Sequence, residues 1–256
     1  MTLSCQFDDF DVPGFTRFAA GFGTERYGYV VTPNTDHLIR LHDDAGFRAS
    51  YSEASYVLLD SRFLSHVLWL TRGLRLPVCP GSDLTATLFT DVIRPDDPLV
   101  LIGGSAGQAQ QVAERYGLKR LSHFNPPMGF IRDPAAVDAC LRFIEAQSPF
   151  RFCFIGVGAP QQEYLARQLK VRGSARGLAL CIGASINFLT GKERRAPRWM
   201  QVLGLEWLYR LVQSPRRLAK RYLVRGPRVF TLLMGSTIEL RRTAPERLLP
   251  LEARQP

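Results

Sequence analysis

The sequence predicts an α/β fold, a largely parallel sheet with helices on both faces, followed by a basic helical appendage at the C-terminal end. Three observations lead there. Two units, at 99–116 and 152–170, each run from a four-residue apolar strand through a glycine turn into a helix. The remaining strand candidates are short and apolar throughout, as strands covered on both faces are. The charge of the chain also changes character at about residue 191.

After a polar start, residues 27–31 (YGYVV) read as a strand that ends at Thr32-Pro33-Asn34-Thr35-Asp36, whose small polar residues suit a turn and a helix N-cap. A helix over 37–44 follows. Residues 56–59 (YVLL) form a second buried strand, and Asp60 lies just past its carboxyl end, where ligands of open α/β sheets gather. Residues 99–102 (LVLI) enter Gly103-Gly104-Ser105-Ala106-Gly107 and a helix over 108–116. Residues 152–155 (FCFI) repeat the arrangement through Gly156-Val157-Gly158-Ala159-Pro160 into a helix over 161–170, and 178–182 (LALCI) lead into Gly183-Ala184-Ser185. Past residue 191, Ser214-Pro215 separates a helix over 205–212 from one over 216–223, with Ser214 as N-cap and Pro215 at the first helical position. The second of these sets Arg217, Lys220, Arg221 and Arg225 beside Leu218, Tyr222 and Leu223, an amphipathic basic element. The expected organisation is a core over 1–190 and an appendage over 191–256.

A chain of 256 residues with 46% hydrophobic content can bury one large α/β core. Its five cysteines are scattered among apolar residues with no CxxC pair, which fits free thiols in a reducing compartment. No basic segment followed by an apolar one opens the chain, so a cytoplasmic location is expected, and the apolar run at 229–234 is too short to span a bilayer. Residues 191–256 carry 15 basic and 5 acidic groups, which account for the whole net charge of +10. A neutral body with a basic end suits an anionic partner such as a lipid surface, a diphosphate or a nucleic acid, and equally a solvated surface.

The glycine turns can offer backbone N–H groups to phosphate at helix N-termini. Neither completes GxGxxG, no GxxxxGK[ST] occurs, and tight strand-to-helix packing explains each turn alone. Directly after the second turn comes Pro160-Gln161-Gln162-Glu163, whose amides and carboxylate can read hydroxyls or a base edge; Glu163 also suits a helix start. Asp60 is a candidate general base and equally a turn carboxylate capping the segment from Ser61, and Asn34 and Asp36 are similarly ambiguous. The four histidines show no metal-ligand spacing, so neither a metal nor a cofactor is expected.

Together these segments resemble the WecG/TagA/CpsF glycosyltransferases, glycosyltransferase family 26. The resemblance is carried by TPNTD at 32–36, Asp60, GSDL at 81–84, LIGG at 101–104, Gly129-Phe130, GVGAPQQE at 156–163, GASINFLTG at 183–191, RAPRWMQ at 195–201 and LEWLYRLVQSPRRLAKRY at 205–222. It implies a Rossmann-like core and inverting, metal-independent transfer of a sugar of N-acetylmannosamine, related uronic acid or glucose type. The implied partners are a UDP-sugar donor, a polyprenyl-diphosphate-linked acceptor and an anionic membrane surface, with homo-oligomers allowed and no nucleic acid. The implied place is the inner face of the plasma membrane. The implied base is Asp60. The family's polar pocket residues fall on Thr32 and Asn34, its glutamine on Gln162 and its appendage arginines on Arg210 and Arg217; with Gly103, Gly156, Gly158, Glu163, Asn187, Arg195 and Arg221 from the same segments, these make up the expected substrate-binding set. Three departures stand out: the usual Asp-Gly is Asp60-Ser61, a frequent Asp is Asn187, and a later appendage arginine is replaced by Lys220 or shifted to Arg221. The rivals are a nucleic-acid-binding protein using the basic end, which leaves PQQE and RAPRW unexplained, and a nicotinamide-dependent oxidoreductase, which the incomplete glycine fingerprint disfavours.

Overall fold

The computed structural model describes residues 4–241, apart from the side chains of Arg217 and Arg221. The chain begins with strand β1 (Ser4–Asp8) and helix α1 (Val12–Ala20), then β2 (Tyr27–Val31), α2 (Thr35–Asp43), α3 (Ala45–Ser52), β3 (Tyr56–Val57), α4 (Arg62–Arg72) and α5 (Gly81–Thr87). Next come β4 (Leu99–Ile102), α6 (Ala106–Tyr116), β5 (Leu121–Phe124), α7 (Pro134–Ala146), β6 (Phe152–Ile155), α8 (Gln161–Arg172) and β7 (Gly177–Cys181). The remaining elements are α9 (Ser185–Leu189), α10 (Arg198–Val202), α11 (Glu206–Gln213), α12 (Pro215–Ala219), α13 (Arg228–Met234) and β8 (Thr237–Arg241).

Six strands form one all-parallel sheet in the order β3-β2-β7-β6-β4-β5. Alternate residues of the same strands enter opposite cores, which is why these strands read as unbroken apolar runs. Val31, Val100, Ile102, Cys153, Ile155 and Cys181 face one core, while Val30, Leu99, Leu101, Phe152, Phe154 and Leu180 face the other. Phe152 and Phe154 are fully buried, each contributing about 1.5–3 kcal/mol over an exposed position. The fold is therefore the expected α/β, Rossmann-like arrangement, and the five cysteines are buried and free.

The register Val31↔Val57, Ile155↔Cys181 and Ile102↔Ile155 brings the ends of these strands to one edge. Thr32, Asp60, Gly103, Gly156 and Gly183 follow those ends, so the residues of interest share the carboxyl edge of the sheet. The helices that begin there are capped by their own sequence: Ser61 accepts from the Leu64 N–H at 3.1 Å, and Ser105 from the Gln108 N–H at 3.2 Å.

The segment beyond residue 191 adds short helices and then returns to the start of the chain. Val229 and Leu233 of α13 join the core, and β8 pairs in parallel with β1 as a separate two-stranded sheet. Cys5 and Phe7 of β1 alternate inward, as does Ile238 of β8. The polar start of the sequence is thus a half-buried strand, and its partner lies 233 residues away.

Candidate active site

A cleft of about 470 Å³ opens between the carboxyl ends of β2 and β3 and the helices after residue 191. Asp60 lies at its inner wall. One carboxylate oxygen accepts the Gly81 N–H at the start of α5 at 2.8 Å, and the other faces the Asn34 amide nitrogen at 3.4 Å. The cap of α4 is Ser61, so Asp60 is free of the capping duty that a turn aspartate would have. Burial pushes its carboxyl above the usual carboxylate range, opposed by the Gly81 N–H, Asn34 and the Arg210 guanidinium. A carboxylate with raised proton affinity beside a cleft is suited to take a proton.

Cations face it. Arg195 and Arg210 both stack over the Phe188 ring, with guanidinium carbons 5.9 and 5.8 Å from its centroid. Arg62, in the first turn of α4, pairs with Asp83 at 2.9 Å and lies 3.8 Å from Glu206. Arg195 also pairs with Asp83, donates to Ser82 Oγ at 3.2 Å and lies 3.8 Å from Glu206. Burial raises the Glu206 carboxyl, against the pull of Arg62 and Arg195. The Nη1 of Arg62 and the indole N–H of Trp207 have no hydrogen-bond partner among the described residues, and both residues line the cleft. Trp207, Tyr222 and Phe230 supply aromatic wall.

The glycine turns lie along the same edge without lining this cleft. A Cβ on Gly103 would come 2.9 Å from the Gly156 carbonyl oxygen, so close packing of the turns after β4 and β6 demands glycine there, where φ is +91°. Gln162 ties the edge together by accepting the Gly183 N–H at 2.9 Å and donating to Glu163 at 2.8 Å. Glu163 is buried in the first turn of α8, and its burial raises its carboxyl to about 7. Thr32 packs beneath Gly81, its hydroxyl 3.5 Å from the Cys181 carbonyl oxygen. Asn187 accepts from Gln108 at 2.9 Å and donates to Glu193 at 3.3 Å, and Glu193 lies 3.8 Å from Arg210. Asn187 is thereby a support for the cleft's arginine rather than part of its wall.

The profile of the Glycosyl transferase WecG/TagA/CpsF family matches residues 2–243. The chain belongs to this family. As a WecG/TagA/CpsF glycosyltransferase it serves cell-surface polysaccharide synthesis, with a sugar donor and an acceptor as substrates. Of the expected site residues, Asn34, Asp60, Arg195 and Arg210 line one cleft of this enzyme, while Thr32, Gly103, Gly156, Gly158, Gln162, Glu163 and Asn187 do not. Gly158 sits at φ +82° in the turn before α8. The side chains of Arg217 and Arg221 lie outside the described residues. Sequence reasoning missed Arg62, Glu206 and Trp207. Arg62 carried one signal, a cation two positions after a candidate base in the first turn of a helix, and Trp207 belongs to the aromatic run already conspicuous in LEWLYRL. No helix among the described residues is long and apolar enough to cross a membrane.

Proposed function

We propose that the enzyme transfers a sugar from a UDP-sugar to a saccharide linked to polyprenyl diphosphate, with inversion and without a required metal, at the inner face of the plasma membrane. The observation that carries this reading is the meeting of one carboxylate, Asp60, with Arg62, Arg195 and Arg210 around a single cleft. The acceptor hydroxyl oxygen attacks the anomeric carbon as its proton passes to Asp60. The bond from that carbon to the phosphate oxygen breaks on the opposite side, and UDP leaves with the electron pair. Arginine is suited to the developing charge because its planar fork binds phosphate oxygens in pairs and stays protonated. Those guanidinium groups occupy the role a divalent cation takes in other sugar transfers. The sugar would be of N-acetylmannosamine, related uronic acid or glucose type.

Membrane association is supported by the surface beyond residue 191. Trp199, Val202, Leu203, Val212 and Val224 are each more than half exposed, and Arg198, Arg216, Lys220 and Arg225 are exposed among them. Basic groups near an anionic bilayer contribute about 1 kcal/mol each, and exposed Trp and Leu add apolar burial. On this reading residues 1–190 supply the base, Arg62 and the strand edge, while residues 191–256 supply Arg195, Arg210 and the membrane contact.

The test is a panel of UDP-sugars against short-chain polyprenyl-diphosphate saccharides, read by UDP release, product mass and anomeric configuration, with and without EDTA. One donor and acceptor pair should react with inversion, and EDTA should change the rate by less than about twofold, since a required Lewis acid contributes several kcal/mol. Retention of configuration, or complete loss in EDTA restored by Mg²⁺ or Mn²⁺, would overturn the mechanism. Arg210→Ala should weaken UDP binding by about 10- to 100-fold, the worth of a charge-assisted hydrogen bond to phosphate. Calorimetry with UDP measures this directly, and unchanged affinity would remove Arg210 from the donor site.

A further inference from the structure

Two carboxylates, Asp83 and Glu206, face the same two arginines of the cleft, and they do so differently. Asp83 Oδ2 accepts from Arg62 Nη2 at 2.9 Å and Oδ1 pairs with Arg195 Nη1, so each oxygen is committed to a different guanidinium. Glu206 Oε2 lies 3.8 Å from Arg62 Nη1, and Oε1 lies 3.8 Å from Arg195 Nη2, too far for a hydrogen bond to either. Glu206 opens α11 and lines the cleft, whereas Asp83 sits in the first turn of α5 and does not.

Three consecutive residues of that turn fix the base and both cations relative to one another. The Gly81 N–H donates to Asp60 at 2.8 Å, Ser82 Oγ accepts from Arg195 at 3.2 Å, and Asp83 holds both arginines. The turn has little room to shift, since a Cβ on Gly81 would come 2.9 Å from Thr32 Oγ1. Arg195 is held by one edge and by its face on Phe188, and Arg62 by Nη2, with its Nη1 left without a hydrogen-bond partner among the described residues. A guanidinium has five N–H donors, so both arginines keep donors for a further anion. A tie between the core and the segment past residue 191 needs only the pair of Asp83 with Arg195; it does not need Arg62, which lies on the core side of that tie.

We infer that the two carboxylates have opposite duties: Asp83 is a positioning residue that aims Arg62 and Arg195 at the donor's diphosphate, and Glu206 competes with that diphosphate for them. The inference rests on the reading of these arginines as the diphosphate site. Simple electrostatics treats the two carboxylates alike, because neutralising either one makes the cleft more positive and tightens the binding of an anion. Positioning separates them. Asparagine at position 83 has a single side-chain oxygen, so its amide nitrogen meets one guanidinium, donor against donor, and that arginine is released. Glutamine at position 206 releases nothing, because Glu206 holds neither arginine by a hydrogen bond.

The experiment measures UDP affinity by calorimetry at pH 8, at low and high salt, in the wild type, Asp83→Asn, Glu206→Gln, Arg62→Ala and Arg195→Ala. Asp83→Asn should weaken UDP by about tenfold or more, the size of a lost hydrogen bond to a charged group. Glu206→Gln should tighten UDP by about threefold or more at low salt, a gain that shrinks as salt screens the charge. With Arg62 and Arg195 both replaced by Ala, Asp83→Asn should cause no further weakening, a dependence that a purely structural role would not show. Affinity in Asp83→Asn equal to or tighter than wild type overturns the inference, as does a further loss in the background without the two arginines. Should Asp83→Asn fail to fold, Glu206→Gln decides, and unchanged or weaker binding in it overturns the inference equally. Unchanged affinity in both single arginine variants discards the diphosphate site and the inference with it, whereas weakened arginine variants beside a tightened Asp83→Asn keep the site and discard the inference alone.

Discussion

Asp60→Asn is expected to lower kcat by about 100-fold or more, the usual worth of a positioned general base, while leaving the fold and UDP affinity close to wild type. The side-chain oxygen of asparagine can still accept the Gly81 N–H that anchors α5. Its amide nitrogen cannot take a proton from an acceptor hydroxyl, and it would face the Asn34 amide nitrogen, donor against donor. The loss should therefore fall on kcat rather than on donor KM. The wild-type pH profile carries the same information. A base must be ionised to act, and burial holds the Asp60 carboxyl above its ordinary value, so kcat/KM should climb with pH through a midpoint higher than that of an exposed aspartate. In Asp60→Asn that acid limb should vanish along with most of the rate. Turnover near wild type in a purified, folded variant would remove Asp60 from the chemistry.

How much of this was legible depended on how far apart in sequence the interacting parts lie. The runs at 99–102 and 152–155 are readable because each stands alone between turn signals with both faces buried. β5 was not, because Ser122 and His123 interrupt its apolar character while their backbone still pairs with β4. β1 and β8 alternate in the ordinary way of half-covered strands, but each is five residues long, and neither announces a partner at the far end of the chain. At the site, Asn34 and Asp60 were each recognisable as polar residues past strand ends, and each had a plain capping explanation. The structure divides those duties: Ser61 caps α4, whereas Asn34 both caps α2 and faces Asp60. The opposition of Asp60 to Arg195 and Arg210 depends on a chain reversal that periodicity cannot reveal.

That reversal is secured at its end by another buried carboxylate, Asp8, and Arg241→Ala is expected to show it. Asp8 is 1% exposed at the end of β1. Its Oδ2 accepts the Val57 N–H at 2.8 Å, and Arg241 donates to both of its oxygens at 2.8 and 2.7 Å, so the last residue of β8 clamps the first strand to the edge of the main sheet. Nearby, Arg72 at the end of α4 holds the Ser236 carbonyl oxygen at 2.9 Å, fastening the link between α13 and β8 to the helix that carries Arg62. Removing the Arg241 guanidinium leaves Asp8 buried with one N–H donor, and breaking such a pair costs about 3–5 kcal/mol. Arg241 is one-third exposed, so water can replace part of what is lost, and about 3 kcal/mol is the expected size. In a chain of this length that lowers Tm by roughly 6–12 °C. The effect should depend on the charge it leaves behind. In an Asp8→Asn background, where the amide oxygen still serves the Val57 N–H, Arg241→Ala should cost about 1 kcal/mol, the worth of an ordinary hydrogen bond. The folded fraction of Arg241→Ala should turn over at the wild-type rate, because neither β1 nor β8 lines the cleft. Equal losses in the two backgrounds would show that β8 is held by its backbone ladder and apolar residues, with no contribution from the clamp.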